Sequence, residues 1–442
     1  MNIAERIGIT YQAQIRKLTC GADRLCPKPL RPLLSTFDNA AHRGAIDGAQ
    51  WPRLLTQTID LERCLMAGED GIECLQWAEM TSDFSRASKR LADSPHVKFL
   101  REYQRSGDAI LRREAFKNTD YCKNADHCVR LQGNYFYQNT LDGLIQQART
   151  FVSLYESIKR GESAPAQESG AHKHSPANSL PIVRASLTPG TVQIVDGQHR
   201  LAIAYACGRK TTNAIVLSPT PTPLQRLVLN VDQTVGRREL YQDIDGVEFD
   251  ESWHVVRRCR PRFALMRDFL EQNGFDIPRI SVLDMPCSYG WFVSEFAKHG
   301  ADALGVERDP TALKIGRIAY GLENSRVRVG SIEAFLSDCE RTFDVVLFLS
   351  VLHHYAMGRQ STSPEHILSR VARVTGSCMF LDTGENHEAW FRKELPMWTP
   401  RFIAEFIKKH TGFRHVVPLG QDQDNRTIYS DNYGRTLFAC LR

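Results

Sequence analysis

The sequence predicts a multidomain α/β protein whose C-terminal part is a mostly parallel sheet covered by helices on both faces. Three observations predict it. From Ile280 onward strand and helix patterns alternate, with strands near 281–285, 302–307, 326–329, 344–349, 377–382, 413–418 and 435–441. Such alternation implies crossover helices packed on both faces of a parallel sheet. The stretch Val282-Leu283-Asp284-Met285-Pro286-Cys287-Ser288-Tyr289-Gly290-Trp291-Phe292 reads as an apolar strand, a tight turn of small residues and the start of a helix. The next strand, Leu304-Gly305-Val306-Glu307, ends in a carboxylate. An acid about 20 residues beyond such a turn is placed to accept hydrogen bonds from both ribose hydroxyls of a nucleoside cofactor.

The other elements follow in order. Residues 1–135 read as a polar helical region, with Leu54, Ile59, Leu61 and Leu65 at helical spacing. A helix is expected over 139–159, where Leu141, Leu144, Ile145, Ala148, Phe151, Val152, Tyr155 and Ile158 recur at three- and four-residue intervals. The Ser/Ala/Pro/Gly-rich stretch 161–179 reads as a mobile surface loop. His172 and His174 lie in it without a nearby carboxylate or cysteine and read as solvated, so no metal site is expected. Strands at Pro181-Ile182-Val183-Arg184, Val192-Gln193-Ile194-Val195 and Ala214-Ile215-Val216-Leu217, with a helix starting near Arg200, form a small α+β group. The basic run Arg257-Arg258-Cys259-Arg260-Pro261-Arg262 reads as a solvated helix face leading into the next domain. The polar linker from Gln421 to Asn432 is rich in turn formers and predicts an antiparallel hairpin for the last two strands. The expected boundaries are 1–135, 136–235, 236–279 and 280–442.

Composition narrows the function classes. The 442 residues are 42% apolar and 24% charged, enough for two or three domains with real cores. A net charge of +5 gives no global argument for nucleic acid. Neither a secretory signal nor a run of about 18 apolar residues is evident, so a cytoplasmic chain without a membrane span is expected. The twelve cysteines are scattered, and the closest pairs, Cys20/Cys26 and Cys122/Cys128, lack a zinc spacing, which points to reduced thiols.

The order of features over 280–442 resembles the class I S-adenosylmethionine-dependent methyltransferases, which implies a seven-stranded Rossmann-like domain. Leu283 to Gly290 is similar to the family's first motif, and Glu307 matches the acid after its second strand. Gly330-Ser331-Ile332-Glu333 falls where the family flanks the adenine, and Phe343 to His354 resembles its fourth strand with the following turn. Thr399-Pro400-Arg401-Phe402 followed by Gly412-Phe413 resembles the penultimate helix and strand. The resemblance implies S-adenosyl-L-methionine held by Asp284, Pro286, Ser288 and Gly290 at the methionine end. Glu307 would hold the ribose and Ser331 with Ile332 the adenine, while Ser350 stands in the turn after the fourth strand. Two departures stand out: Pro286 occupies the usual first glycine and lacks an amide donor, and Ser331 replaces the usual aspartate. A hydroxyl acceptor benefits from a base, and His353, His354 and His387 follow strand ends on the cofactor side, as does Glu385. Tyr355, Trp390 and Trp398 either line an acceptor pocket or fill core.

Val195-Asp196-Gly197-Gln198-His199-Arg200 is the second signal. A glycine turn after a strand, with His and Arg opening a helix, has the elements of an anion site: free amides, the helix dipole and a guanidinium fork. The segment resembles the ParB/sulfiredoxin-like superfamily over about 139–218. That resemblance implies nucleotide or phosphate binding through Asp196, Gly197, His199 and Arg200, with ATP or CTP and magnesium as a second cofactor. The other reading is a retained fold in which His199 and Arg200 only tie the turn together.

Together these features predict a methyltransferase that O-methylates a glycan or a specialised metabolite, with a kinase-like second activity in the ParB-like part. The alternative is a DNA-associated nucleotide-binding regulator. No helix-turn-helix follows the ParB-like segment, so nucleic acid ranks below a glycan or small-molecule acceptor.

Overall fold

The computed structural model describes residues 56–66, 68–69, 72, 74–161 and 180–442. The chain divides into two units, Met1–Thr220 and Pro221–Arg442. Leu54, Cys20, Cys26, His172 and His174 lie outside the described residues, as does the expected loop apart from Gly161. Among the described residues no helix is long and apolar enough to cross a membrane.

In the first unit β1 (Thr56–Asp60), β2 (Cys64–Leu65), β3 (Ile182–Ala185), β4 (Val192–Asp196) and β5 (Thr211–Leu217) form one sheet in the order β1-β5-β3-β4-β2. The helical reading of Ile59, Leu61 and Leu65 is corrected. Ile59 lies in β1, Leu61 in a short 3-10 turn and Leu65 in β2. The Asp60 carboxylate accepts the Glu62 amide at 2.9 Å, which ends the strand and starts the turn. The long helix runs Leu141–Lys159, capped by the Thr140 hydroxyl on the Gly143 amide, and buries Leu144, Ile145, Ala148, Phe151, Val152 and Tyr155. One apolar cluster joins Trp77, Phe99 and Phe116 to Phe151, Ile194 and Leu201, so the boundary expected at 135/136 runs through a shared core.

In the second unit β6 (Glu239–Gln242) and β7 (His254–Arg257) pair in parallel. They are followed by β8 (Ser281–Asp284), β9 (Asp302–Glu307), β10 (Val327–Val329), β11 (Phe343–Leu349), β12 (Thr375–Asp382), β13 (His415–Gln421) and β14 (Thr436–Leu441). The sheet order is β10-β9-β8-β11-β12-β14-β13. The first five strands are parallel, and β14 is antiparallel to both β12 and β13. Central β11 reads Phe-Asp-Val-Val-Leu-Phe-Leu and is buried at every position but Asp344, as a strand covered on both faces must be. Edge strand β13 is mostly exposed and carries Pro418 beside a register shift, where a missing donor costs no ladder bond.

The reading of 257–262 as a solvated face is also corrected. Arg258 and Arg260 are exposed, but Arg257, the last residue of β7, is 2% exposed and Arg262 is 3%. Arg257 Nη1 lies 3.0 Å from Asp422 and 2.8 Å from Asp424. Its Nη2 donates to Asp382 Oδ2 at 3.0 Å and to the Ser350 hydroxyl at 2.8 Å. Arg262 reaches the same Asp382 oxygen at 3.0 Å. Burial alone would raise the Asp382 carboxyl, but the two arginines hold it well below the usual range. Removing one member of such a buried group leaves uncompensated charge and costs about 3–5 kcal/mol. Arg257→Met should therefore lower the unfolding free energy at neutral pH by about that amount in urea titrations. Because the Asp382 pKa is depressed, the wild type loses this contribution as pH falls through that pKa, so the deficit narrows in acid.

Candidate active site

The cofactor-type loop is built by the end of β8. After Asp284 comes a cis Met285–Pro286 peptide, Ser288 sits at φ 52° and Gly290 at φ 81° before the helix Trp291–Lys298. Gly290 also meets Leu322, whose Cδ2 would lie 2.6 Å from an added Cβ. At Gly316 a Cβ would fall 1.9 Å from the Tyr289 carbonyl oxygen, so only glycine lets the helix Pro310–Tyr320 approach the loop this closely. Glu307 ends β9 and fixes the loop from the other side. Its Oε2 accepts the Ser288 amide at 2.8 Å, and its Oε1 accepts the Arg308 and Asp309 amides at 2.9 and 3.0 Å. A carboxylate has about four lone-pair sites, so one remains for a further donor.

A cavity of about 250 Å³ lies over this loop. Of the residues expected to hold a cofactor, Asp284, Pro286, Ser288, Glu307, Ser331, Ile332 and Ser350 line it. Gly290 does not; it shapes the turn. The Ser331 hydroxyl also caps the following helix by accepting the Ala334 amide at 3.1 Å. Ser350, at φ 58°, donates its amide and its hydroxyl to Asp382 Oδ1, each at 2.7 Å. Four residues of the lining carry a buried atom with no protein partner: Gln233 Oε1, Asp284 Oδ2, Ser288 Oγ and Arg257 Nε. Burial, and then the Glu307 charge, push the Asp284 carboxyl well above its ordinary range. Burial raises Glu307 as well. Buried polar groups are normally satisfied, so unpartnered atoms gathered in the residues around one cavity set it apart from the rest of the unit.

The three histidines separate. His354 lines the cavity, and burial, with Arg359 next, lowers it to about 4. At neutral pH it is an uncharged imidazole. His353 does not line the cavity. Its Nδ1 accepts the Gly384 amide at 3.1 Å, and burial holds it neutral far below the usual range. His387 does not line it either. One ring nitrogen faces Glu385 at 3.2 Å and the other faces the Tyr433 carbonyl oxygen, so neither is free for an acceptor. Tyr355 lines the cavity with its hydroxyl on Glu333 at 2.8 Å, Trp398 is core, and Trp390 is exposed.

Several lining residues escaped the sequence reading. Tyr241, Gln242, Arg257 and Arg262 come from the segment before the sheet. Gln242 clamps the loop, donating to the Cys287 carbonyl and accepting the Trp291 amide, each at 3.2 Å. The one available signal was the apolar residues Val255, Val256, Cys259 and Phe263 interleaved with the basic run.

In the first unit the Asp196–Arg200 turn is built as expected but engaged differently. Gly197 sits at φ 88° before the helix Gln198–Ala206. Arg200 donates to Asp196 at 3.1 Å. His199 contacts the Tyr121 hydroxyl at 3.0 Å and packs 4.5 Å from the rings of His96 and Phe151. Burial, with His96 next, takes it down to about 3, so it is neutral. Gln198 donates to Glu69 at 2.9 Å, a carboxylate the sequence reading did not single out. Burial alone would raise Glu69, but His96 and Arg86 pull it well below the usual range.

Comparison with known proteins agrees on the second unit. Residues 283–377 match the family described as "Methyltransferase domain". The chain is 31% identical over 174 residues to the O-antigen chain terminator bifunctional methyltransferase/kinase WbdD of Escherichia coli, a match covering 38% of this chain and 24% of that protein. It is 25% identical over 186 residues to a ubiquinone biosynthesis O-methyltransferase of Xanthomonas oryzae, covering 41% and 70%. Among solved structures, WbdD aligns with TM-score 0.38 and 23% identity over 49% of this chain and 46% of that one. Magnesium protoporphyrin IX methyltransferase of Synechocystis with bound SAH aligns with 0.31 and 17% over 41% and 83%. The chain thus spans about a quarter of the WbdD protein.

Proposed function

We propose that the second unit is an S-adenosylmethionine-dependent O-methyltransferase acting on a glycan or small-molecule hydroxyl. The observation that carries it is that Asp284, Ser288 and Arg257, which line the cavity beside Glu307, each keep a buried polar atom without a protein partner. An amino-acid end needs an anion for its ammonium and a cation for its carboxylate, and Asp284 and Arg257 supply that pair. Glu307 has capacity left for one ribose hydroxyl, and Ser331 with Ile332 flank the remaining space. When bound, the cofactor supplies a sulfonium methyl that the acceptor oxygen takes by in-line displacement, leaving a neutral thioether. The chain's own contribution is orientation and exclusion of water, with His354 accepting the acceptor's proton. A glycan acceptor draws support from the relative named as an O-antigen chain terminator. In the first unit the pairing of Arg200 with Asp196 and the neutral state of His199 support the turn-tying role over a nucleotide site. ATP or CTP turnover that vanishes in R200A would restore the kinase-like reading.

Calorimetry with S-adenosylmethionine should give binding to the wild type and a loss of about tenfold or more in E307A and D284N. Equal affinity in both variants would overturn the cofactor seat. The Asp284 pKa is raised in the free protein, and a cationic ligand favours its ionised form. Binding should therefore release protons and weaken as pH falls, which titrations in buffers of different ionisation enthalpy will detect. The same sign makes the ionised Asp284 destabilising above its unfolded pKa, so D284N should melt higher than the wild type without cofactor at neutral pH.

His354→Gln should lower kcat by about 10²–10⁴ with cofactor affinity unchanged. In the wild type the acid limb of kcat/KM should fall near the lowered His354 value of about 4, not near that of an ordinary histidine. An inflection at an ordinary histidine pKa, or unchanged kcat in the variant, would remove His354 as the base.

A further inference from the structure

Trp390 is 45% exposed, yet it is held rigidly. Its amide donates to Asn432 Oδ1 at 3.1 Å, and its ring meets Tyr429 and Tyr433 edge-on at 5.5 and 5.2 Å. Tyr433 adopts φ 60°, unusual for an aromatic residue, and its amide is pinned by Glu388 at 3.1 Å. On its other side Tyr433 lies against Arg257, whose guanidinium is 4.8 Å from the ring centre. Arg257 lines the cavity, so the indole stands two side chains from the cofactor seat. The rim of the aromatic group is polar: the Tyr429 hydroxyl donates to Glu239 at 2.6 Å and accepts from Arg237 at 3.3 Å.

We propose that Trp390, with Tyr429 and Tyr433 fixing its orientation, is the platform on which a pyranose ring of the acceptor glycan stacks. This rests on the methyltransferase reading above and names where its acceptor sits. A pyranose presents an apolar C–H face with hydroxyls around its edge. A fixed indole face, with the half-exposed Arg237 held beside Tyr429, complements both parts. Aromatic rings give such contact area at small entropic cost. A protein partner would need about 800 Å² of surface on this side, far more than one indole face supplies. Arg237, half-exposed beside Tyr429, is the polar group open to the hydroxyl edge of a stacked ring, and Arg257 links the platform to Ser350 at the cavity wall.

Saturation-transfer difference NMR tests it, with protein aromatic protons irradiated and methyl glucopyranosides, galactopyranosides and mannopyranosides, plus purified O-antigen polysaccharide, as probes. The wild type should transfer saturation to the ring C–H protons of at least one probe. The signal should fall about tenfold or more in W390A and persist in W390F, which keeps an aromatic face and guards against a folding artefact. Equal transfer in wild type and W390A, or no transfer to any probe from a wild type that binds S-adenosylhomocysteine, would overturn the platform. Transfer that depends on Trp390 in a protein unable to bind S-adenosylhomocysteine would keep the sugar site and overturn the methyltransferase reading instead.

Discussion

The geometry of the second unit depends on one buried guanidinium. Ligands of open α/β sheets bind beyond the carboxyl ends of the strands, where chain segments leave the hydrogen-bonded ladder and must be held by something else. Arg257 does this with a fork of donors. It reaches Ser350 beyond β11, Asp382 at the end of β12, and Asp422 and Asp424 beyond β13. Two buried arginines face three buried aspartates there, and burial pushes the Asp424 carboxyl upward. Such a group costs much desolvation, and an apolar replacement of similar shape often does as well for stability. Its evident product is position: Asp422 also accepts the Gly434 amide at 2.8 Å, which fixes the chain beside Tyr433.

Much of this unit was legible in the sequence because parallel buried strands are continuous apolar runs. Val282 to Asp284 and Phe343 to Leu349 can be read as little else, and the turn-rich stretch after Gln421 announced the hairpin. Arg257 and Arg262 were not legible, because charge runs are usually solvated and the carboxylates that bury them, Asp382, Asp422 and Asp424, stand far along the chain, at least 120 residues away. Short strands hid for another reason. Ile59, Leu61 and Leu65 repeat at two- and four-residue steps that a helix also produces, and a strand–turn–strand of this length leaves too few positions to separate the periods. His353, His354 and His387 looked equivalent as neighbours of strand ends. Only side-chain direction tells them apart, and it is set by which amides and carbonyls each ring meets.

The two glycine turns make the same point about local motifs. Gly290 and Gly197 both follow a strand, both take a left-handed φ and both open a helix. Around Gly290 the polar atoms of Asp284 and Ser288 are left unpartnered toward a cavity. Around Gly197 the corresponding groups satisfy one another, Arg200 with Asp196 and Gln198 with Glu69. Equal sequence signals thus lead to unequal chemistry. What separates a ligand seat from a structural knot is the unsatisfied hydrogen-bonding capacity left once folding is complete.

That leftover capacity also has a sign. Asp284 and Glu307 crowd one wall of the cavity, and Asp284 is raised partly by the Glu307 charge, while Arg257 and Arg262 hold another wall. The arginines already face Asp382, Asp422 and Asp424, so the charge without a partner stands on the acid wall, and a ligand with a positive centre answers it. Burial and the Glu307 charge favour a proton on Asp284, so a positive ligand takes the place of that proton beside Glu307.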